Sequence, residues 1–129
     1  MKLFLDTNIW VSALMAPGLC EDMLFDSCKQ DIAMSSPLVW EELAEVLRRK
    51  VKAPETVVAA ARILWLDTIR VAEPAEPADD ADARLVAAAT AAGADLFVTG
   101  DRRVLQWTAA GSMRIVSPRD ALIILTGRR

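Results

Sequence analysis

Four acidic side chains are the residues of this sequence with the clearest chemical meaning. They are Asp6, Glu42, Asp82 and Asp101, and the chain contains no histidine. Carboxylates without imidazole suit hard cations such as Mg²⁺ or Mn²⁺, which usually meet phosphate groups, and they suit zinc poorly. The acidic set therefore indicates a metal-dependent enzyme that hydrolyses phosphodiesters or transfers phosphoryl groups.

Charge repulsion is the physical reason to expect a metal. Two carboxylates about 4 Å apart repel each other by about 4 kcal/mol at an effective dielectric constant near ~20. Four carboxylates in one crevice would oppose folding unless protons or cations neutralised them. A divalent cation would also polarise a phosphodiester and lower the pKa of a bound water, so it would supply both stability and chemistry.

Short apolar segments alternate with helical patterns along the chain, and this alternation predicts an α/β fold. Strands are predicted at residues 2–5, 31–34, 68–71, 96–99 and 114–116, with helices between them. Continuous apolar strands joined by helices are typical of a parallel sheet covered on both faces. We expect a single α/β/α three-layer domain over residues 1–129, with a parallel sheet of about five strands in the assumed order 3-2-1-4-5.

Asp6 and Asp101 each follow a predicted strand directly. In the assumed strand order these two strands are neighbours, about 4.8 Å apart, so both carboxylates face the crevice at the carboxyl ends of the strands. An alternative interpretation of Asp6 is a helix cap, because Asp6-Thr7-Asn8 also has the chemistry of a turn.

The other two acids depend on helix geometry. Glu42 lies at the margin of the apolar face of its helix and can lean over the sheet edge, although a solvated acidic face explains the same pattern equally well. Asp82 lies on the inward face of the first turn of its helix, where a helix-dipole partner is the alternative. Asp79 or Asp80 is the expected N-cap of that helix, and both compete with Asp82 for a place in the site.

Four short motifs follow one another in order along the chain. They are Leu5-Asp6-Thr7-Asn8, Glu42-Leu43 with Val46-Leu47, the acidic run 79–82 before Leu85, and Val98-Thr99-Gly100-Asp101. Together they resemble the motifs of the PIN-domain nucleases, particularly the VapC-like toxin components of bacterial toxin-antitoxin pairs. The resemblance covers nearly the whole chain.

The resemblance implies a fold, an activity and a set of site residues. It implies the strand order assumed above and endonucleolytic cleavage of RNA. It implies that Mg²⁺ or Mn²⁺ is held by Asp6, Glu42, Asp82 and Asp101, with Asn8 and Thr99 as supporting polar residues that orient the acids or a water.

Substrate contacts are expected from basic residues near the acids. Arg84, Arg102 and Arg103 lie close to them in sequence and are candidates for phosphate contacts. The basic cluster at residues 48–52 is better explained by the end of its helix, where positive charge is favourable. We expect the four tryptophans to pack in the core or at a dimer interface rather than to stack on bases.

Composition limits the partners and the compartment. The net charge of -3 argues against a protein that coats nucleic acid by bulk attraction, so contact with RNA must be local. The apolar fraction of 53%, with the family resemblance, makes a homodimer and a masking protein antitoxin the expected partners. No segment approaches the ~20 apolar residues of a membrane span. Cys20 and Cys28 are too far apart on one predicted helix for a disulfide, which indicates a cytoplasmic protein.

Two alternative functions also use an acidic metal pocket. A receiver-type signalling module has an aspartate after its middle strand and a lysine after its last strand, where this chain has Glu73 and Ser117-Pro118. A phosphatase with Asp6 as nucleophile usually has a second aspartate two residues later, where this chain has Asn8.

Overall fold

The computed structural model describes residues 1–73 and 80–127, and within these ranges it contains a six-stranded sheet with helices on both sides. The strands are β1 (Leu3–Leu5), β2 (Ala33–Ser35), β3 (Ile69–Arg70), β4 (Leu96–Val98), β5 (Ala109–Ala110) and β6 (Met113–Val116). The helices are α1 (Thr7–Met15), α2 (Leu19–Lys29), α3 (Pro37–Glu45), α4 (Glu55–Leu66), α5 (Ala81–Ala91), α6 (Arg102–Leu105) and α7 (Pro118–Thr126). A π-helical segment, Val46–Lys50, extends α3.

The strand order is β3-β2-β1-β4-β6-β5. The first five strands in this order pair in parallel, and β6 is the predicted fifth strand, so the predicted α/β class and the assumed order are confirmed. The structure also contains a sixth strand that was not predicted, the two-residue β5, which pairs antiparallel with β6. It was not predicted because two alanines carry little strand signal.

The two central strands, β1 and β4, form the middle of the core. Leu3, Phe4 and Leu5 are fully buried, and the rings of Phe4 and Phe97 stack with centroids 5.5 Å apart. Burial on both faces explains why these strands are apolar throughout rather than alternating. The register pairs Leu5 with Val98, so the residues that follow the two strands emerge side by side.

The tryptophans are divided between the core and the surface. Trp10 and Trp65 are buried and Trp40 is half-buried, which agrees with the predicted packing role. Trp107 is 37% exposed, so packing in the core does not account for it.

The helix caps differ from prediction at one position. The sequence Ser36-Pro37 predicts a helix cap at Ser36, but the hydroxyl of Ser36 makes no capping hydrogen bond in α3. The backbone N–H of Leu38 instead donates to the Glu73 carboxylate at 2.6 Å, so a negative charge lies at the helix N-terminus. Asp80 caps α5 as predicted and accepts from the backbone N–H of Ala83 at 2.7 Å.

Among the described helices, none has the length and apolar character required to span a bilayer.

Candidate active site

Asp6 lies at the carboxyl end of β1, and its side chain is held by three hydrogen bonds. Its Oδ1 accepts from the backbone N–H of Thr7 at 2.8 Å. Its Oδ2 accepts from the Thr99 hydroxyl at 2.8 Å and from Nδ2 of Asn8 at 3.1 Å. Asp6 is only 3% exposed. It therefore caps α1 and also belongs to a buried polar network, so the two interpretations of this residue are not exclusive.

Asn8 and Thr99 join the turns that follow β1 and β4. Nδ2 of Asn8 donates to the Thr99 hydroxyl at 3.1 Å, and Oδ1 of Asn8 accepts from the backbone N–H of Gly100 at 2.9 Å. The Thr99 hydroxyl also accepts from the backbone N–H of Asp101 at 3.1 Å. These contacts fix the orientation of the Asp6 carboxylate relative to the Gly100-Asp101 turn.

Glu42 reaches the same region from α3. Its Oε1 accepts from the Thr7 hydroxyl at 2.8 Å. Glu42 is half-buried, whereas its neighbours Glu41 and Glu45 are exposed. Thr7 was not among the predicted site residues, because a threonine in the first turn of a helix is usually explained by local capping chemistry.

Asp82 and Asp80, at the start of α5, share one arginine from α6. Nη2 of Arg103 donates to Asp82 at 2.6 Å, and Nη1 donates to Asp80 at 3.2 Å. The guanidinium of Arg103 also lies 5.3 Å from the centroid of the Trp107 ring. The pKa of Asp80 is lowered, first by the backbone hydrogen bond from Ala83 and further by Arg103. Asp79, the other predicted competitor, lies outside the described residues.

The electrostatic environment links three of the predicted acids. Burial raises the pKa of Asp6 to about 6, although hydrogen bonds from Thr99 and Thr7 oppose this shift, and the charges of Asp82 and Glu42 raise it further. Burial also raises the pKa of Glu42, and Asp82 again adds to the shift while Arg84 opposes it. Each carboxylate therefore lies close enough to influence the others.

Asp101 is connected to this group less directly. Its Oδ1 accepts from the backbone N–H of Arg103 at 2.8 Å and caps α6, and its own backbone N–H is bound by Thr99. Arg102 is exposed on the same short helix. Asp101 is thus beside the network, with its carboxylate turned towards its own helix.

The donor set fits a hard divalent cation in chemistry and charge. The three coupled acids offer only oxygen ligands, and mutual repulsion contributes to the raised pKa of Asp6, which a cation would relieve. Within residues 1–73 and 80–127, no three acidic or cysteine side chains form a closed ligand cluster. The acids are grouped electrostatically, and Asp82 is paired with Arg103 instead.

An open cleft of about 370 Å³ lies next to the network. Residues from four segments line it: Asn8, Ile9, Ser12, Cys20, Gly100, Asp101 and Pro118. The cleft gives solvent access to the Asp101 side of the site.

The comparison with solved structures shows the fold. The chain is similar to the crystal structure of PAE2754 from Pyrobaculum aerophilum, with a TM-score of 0.67 and 14% sequence identity over 99% of this chain and 97% of that chain. No curated protein matches the chain.

The comparison with protein families shows the family. The family model for the PIN domain matches residues 2–103, which include Asp6, Glu42, Asp82 and Asp101. The chain therefore belongs to the PIN-domain family, whose members are generally nucleases that use divalent metal ions.

Proposed function

We propose that the protein is an endoribonuclease that depends on Mg²⁺ or Mn²⁺ and hydrolyses RNA phosphodiester bonds. The catalytic and metal-binding residues in this proposal are Asp6, Glu42, Asp82 and Asp101. The observation that carries it is the polar network at the end of β1, where Thr99 and Asn8 hold the buried carboxylate of Asp6 and the adjacent Thr7 binds Glu42. Such a buried group of carboxylates is unfavourable without a cation and becomes favourable with one. Membership of the PIN-domain family supports nuclease activity.

The proposed metal would be held by the four acids. When bound, the cation would polarise the phosphodiester and lower the pKa of a water for attack on phosphorus. Arg103 donates to Oδ2 of Asp82 at 2.6 Å, so a metal bound by Asp82 would lie close to the positive charge of this guanidinium.

The polar residues around the acids provide orientation. Thr99 and Asn8 both donate to Oδ2 of Asp6, and Thr7 donates to Glu42. Hydrogen bonds to a carboxylate favour its ionised form. They therefore orient the carboxylates of Asp6 and Glu42 and oppose the rise in pKa that burial causes, and this fixed orientation reduces the reorganisation needed during the reaction.

We propose that a few basic residues beside the acids bind the RNA, rather than the protein surface as a whole. Arg84, Arg102 and Arg103 would contact phosphates beside the acids, and the cleft of about 370 Å³ at Asn8 and Asp101 would receive the adjoining nucleotide. A protein of net charge -3 needs such concentrated positive charge to hold RNA near an acidic site.

We extend the proposal to a toxin of a toxin-antitoxin pair, formed by one domain over residues 1–129. A protein antitoxin would mask the acidic crevice, and the toxin would form a homodimer. Phe25, Val57 and Ile63 are exposed apolar side chains that support a protein partner. We propose a cytoplasmic location, which the free thiols of Cys20 and Cys28 support because thiols stay reduced there.

The two alternative functions gain no support from the site. Glu73, the acid at the receiver position, accepts a hydrogen bond from the start of α3 and serves as a helix cap. Asn8, at the position of the second phosphatase aspartate, has an amide in place of a carboxylate and donates to Asp6.

The test combines metal binding with RNA cleavage. We expect Mn²⁺ to bind the wild-type protein in calorimetric titration and to bind Glu42→Gln much more weakly. Glu41→Gln is the matched control, because Glu41 is the exposed neighbour on the same helix. RNA cleavage should require Mg²⁺ or Mn²⁺, stop with a chelator and be lost in Asp6→Asn. Cleavage retained by Asp6→Asn would end the proposal.

A further inference from the structure

Arg103, on α6, contacts two acids at the start of α5 and one aromatic ring. Its guanidinium donates to Asp82 at 2.6 Å and to Asp80 at 3.2 Å, and it lies against the Trp107 ring at 5.3 Å. Hydrogen bonds between two charged groups are shorter and stronger than those between neutral groups, and the Arg103–Asp82 distance is 2.6 Å. Two acids and one aromatic ring therefore hold this single side chain.

The position of Arg103 in the chain is also informative. It follows Asp101 by two residues, and its backbone N–H donates to the Asp101 carboxylate at 2.8 Å. The same turn of α6 thus carries one proposed metal ligand and the cation that neutralises another. Any shift of this turn on metal binding affects both residues.

A metal and a guanidinium compete for the charge of the Asp82 carboxylate, whose Oδ2 accepts from Arg103. Mg²⁺ requires direct contacts of about 2.1 Å to its ligands, and a guanidinium at hydrogen-bond distance from the same carboxylate would be repelled by the ion. Binding of the metal at Asp82 therefore disfavours the ion pair with Arg103. The affinity measured for the metal is then reduced by the fraction of molecules in which the ion pair is closed.

We propose that Arg103 is an internal counter-cation that neutralises Asp82 and Asp80 and is displaced when a divalent cation binds at Asp82. The inference rests on the proposed function, since it takes Asp82 to be a metal ligand. Displacement leaves the guanidinium on α6 beside the metal, where the proposed reaction needs positive charge for a phosphate. Arg103 is in this sense a positioning residue that links metal binding to substrate binding.

An ordinary surface ion pair is the competing explanation. Arg103 is 53% exposed on its side chain, and exposed ion pairs shift an equilibrium by only about twofold to fivefold. A surface pair would connect α5 to α6 without any effect on the metal. The two explanations therefore differ in the metal affinity of variants that lack the guanidinium.

The experiment is a Mg²⁺ titration of the full chain by calorimetry. Arg103→Met removes the ion pairs, and Arg102→Met is the matched control, because it removes the same charge from the adjacent exposed position. We expect Arg103→Met to bind Mg²⁺ about twofold to fivefold more tightly than Arg102→Met. Arg103→Lys cannot bridge both acids through one planar group, so we expect an intermediate affinity.

Trp107 provides a second measurement on the same samples. Because the guanidinium lies over its ring, displacement of Arg103 should change the tryptophan fluorescence of the wild type during the Mg²⁺ titration. The change should persist in Arg102→Met and disappear in Arg103→Met and in Trp107→Phe. Thermal unfolding curves establish that each variant is folded, and Arg103→Lys replaces Arg103→Met should the latter fail to fold.

The outcomes separate the two proposals. Equal or weaker Mg²⁺ binding by Arg103→Met than by Arg102→Met would overturn the displacement and leave the proposed nuclease intact. A fluorescence change that persists in Arg103→Met would also overturn the displacement and leave the proposed nuclease intact. Absence of Mg²⁺ binding in every folded variant would overturn the proposed metal dependence, and the displacement with it.

Discussion

The Thr99 hydroxyl donates to Oδ2 of Asp6 at 2.8 Å and joins residues that are 93 positions apart in the chain. Asp6 follows β1 and Thr99 follows β4, the two buried strands at the centre of the sheet. The same hydroxyl accepts hydrogen bonds from Asn8 and from the backbone of Asp101. One side chain therefore holds the ends of two strands and orients the acid that lies deepest in the site.

Replacement of Thr99 by valine tests this contact, since valine keeps the shape and removes the hydroxyl. We expect Thr99→Val to lower the free energy of unfolding by about 1–3 kcal/mol, because buried polar groups lose their partner. It should also raise the pKa of Asp6 further, since the lost hydrogen bond favoured the anion. Urea unfolding measures the first effect, and Thr99→Ser should retain most of the stability. Wild-type stability in Thr99→Val would contradict the assignment.

The pH dependence of stability follows from the raised pKa of Asp6. That pKa is about 6 in the folded protein and 3.8 for an unperturbed group, so the folded chain binds the proton more tightly than the unfolded chain. Stability without metal should therefore fall as pH rises from about 4 to about 6, by about 3 kcal/mol, and this loss should be complete above pH ~6. The raised pKa of Glu42 acts in the same direction.

Urea unfolding at a series of pH values, with a chelator present, measures this dependence. Other acids titrate in the same range, so the informative quantity is the difference between the wild type and Asp6→Asn. We expect the difference to decrease through the same pH window and to level off above it. A difference in the free energy of unfolding that does not change with pH would show that folding does not raise the pKa of Asp6.

Asp101→Asn separates the role of Asp101 as the cap of α6 from its proposed role as a metal ligand. Asparagine caps helices about as well as aspartate, so the free energy of unfolding should change by less than about 0.5 kcal/mol. Mn²⁺ affinity should nevertheless fall by about tenfold or more, since the proposed ligand loses its charge. Asp101→Ala should lower both the free energy of unfolding and the Mn²⁺ affinity. Unchanged Mn²⁺ affinity in Asp101→Asn would reduce this residue to a helix cap.

Glu73→Ala tests the unexpected cap of α3. Loss of the hydrogen bond to Leu38 and of the negative charge at the helix N-terminus should lower the free energy of unfolding by about 1 kcal/mol. Glu73→Gln keeps an acceptor and should lose less. Glu41→Ala, at an exposed position of the same helix, is the control and should be close to wild type in denaturant unfolding.

The regular elements were predictable because their signals are local. Apolar runs indicated the strands, and Pro37 and Pro118 marked the first turns of α3 and α7. The short elements were missed for the same reason. A four-residue helix such as α6 and a two-alanine strand such as β5 contain too few residues to show a period.

Contacts between distant side chains were only partly predictable. The position of Glu42 on its helix indicated that it could turn inward, and the assumed strand order indicated that Asp6 and Asp101 would face one crevice. Nothing in the local pattern indicated that Glu73 would cap a helix that starts 36 residues earlier, or that Arg103 would pair with Asp82 and Asp80. The metal-binding roles of the four acids stay a prediction.

The central position of β1 has a consequence for biosynthesis. This strand is the first in chain order, yet its neighbour β4 ends at Val98 and the Thr99 contact to Asp6 spans 93 positions. Contacts between such distant segments form late, after most of the chain has been translated. The polar network at the ends of β1 and β4 can therefore assemble only after residue 99 has been synthesised, so a chain that stops before β4 would lack it.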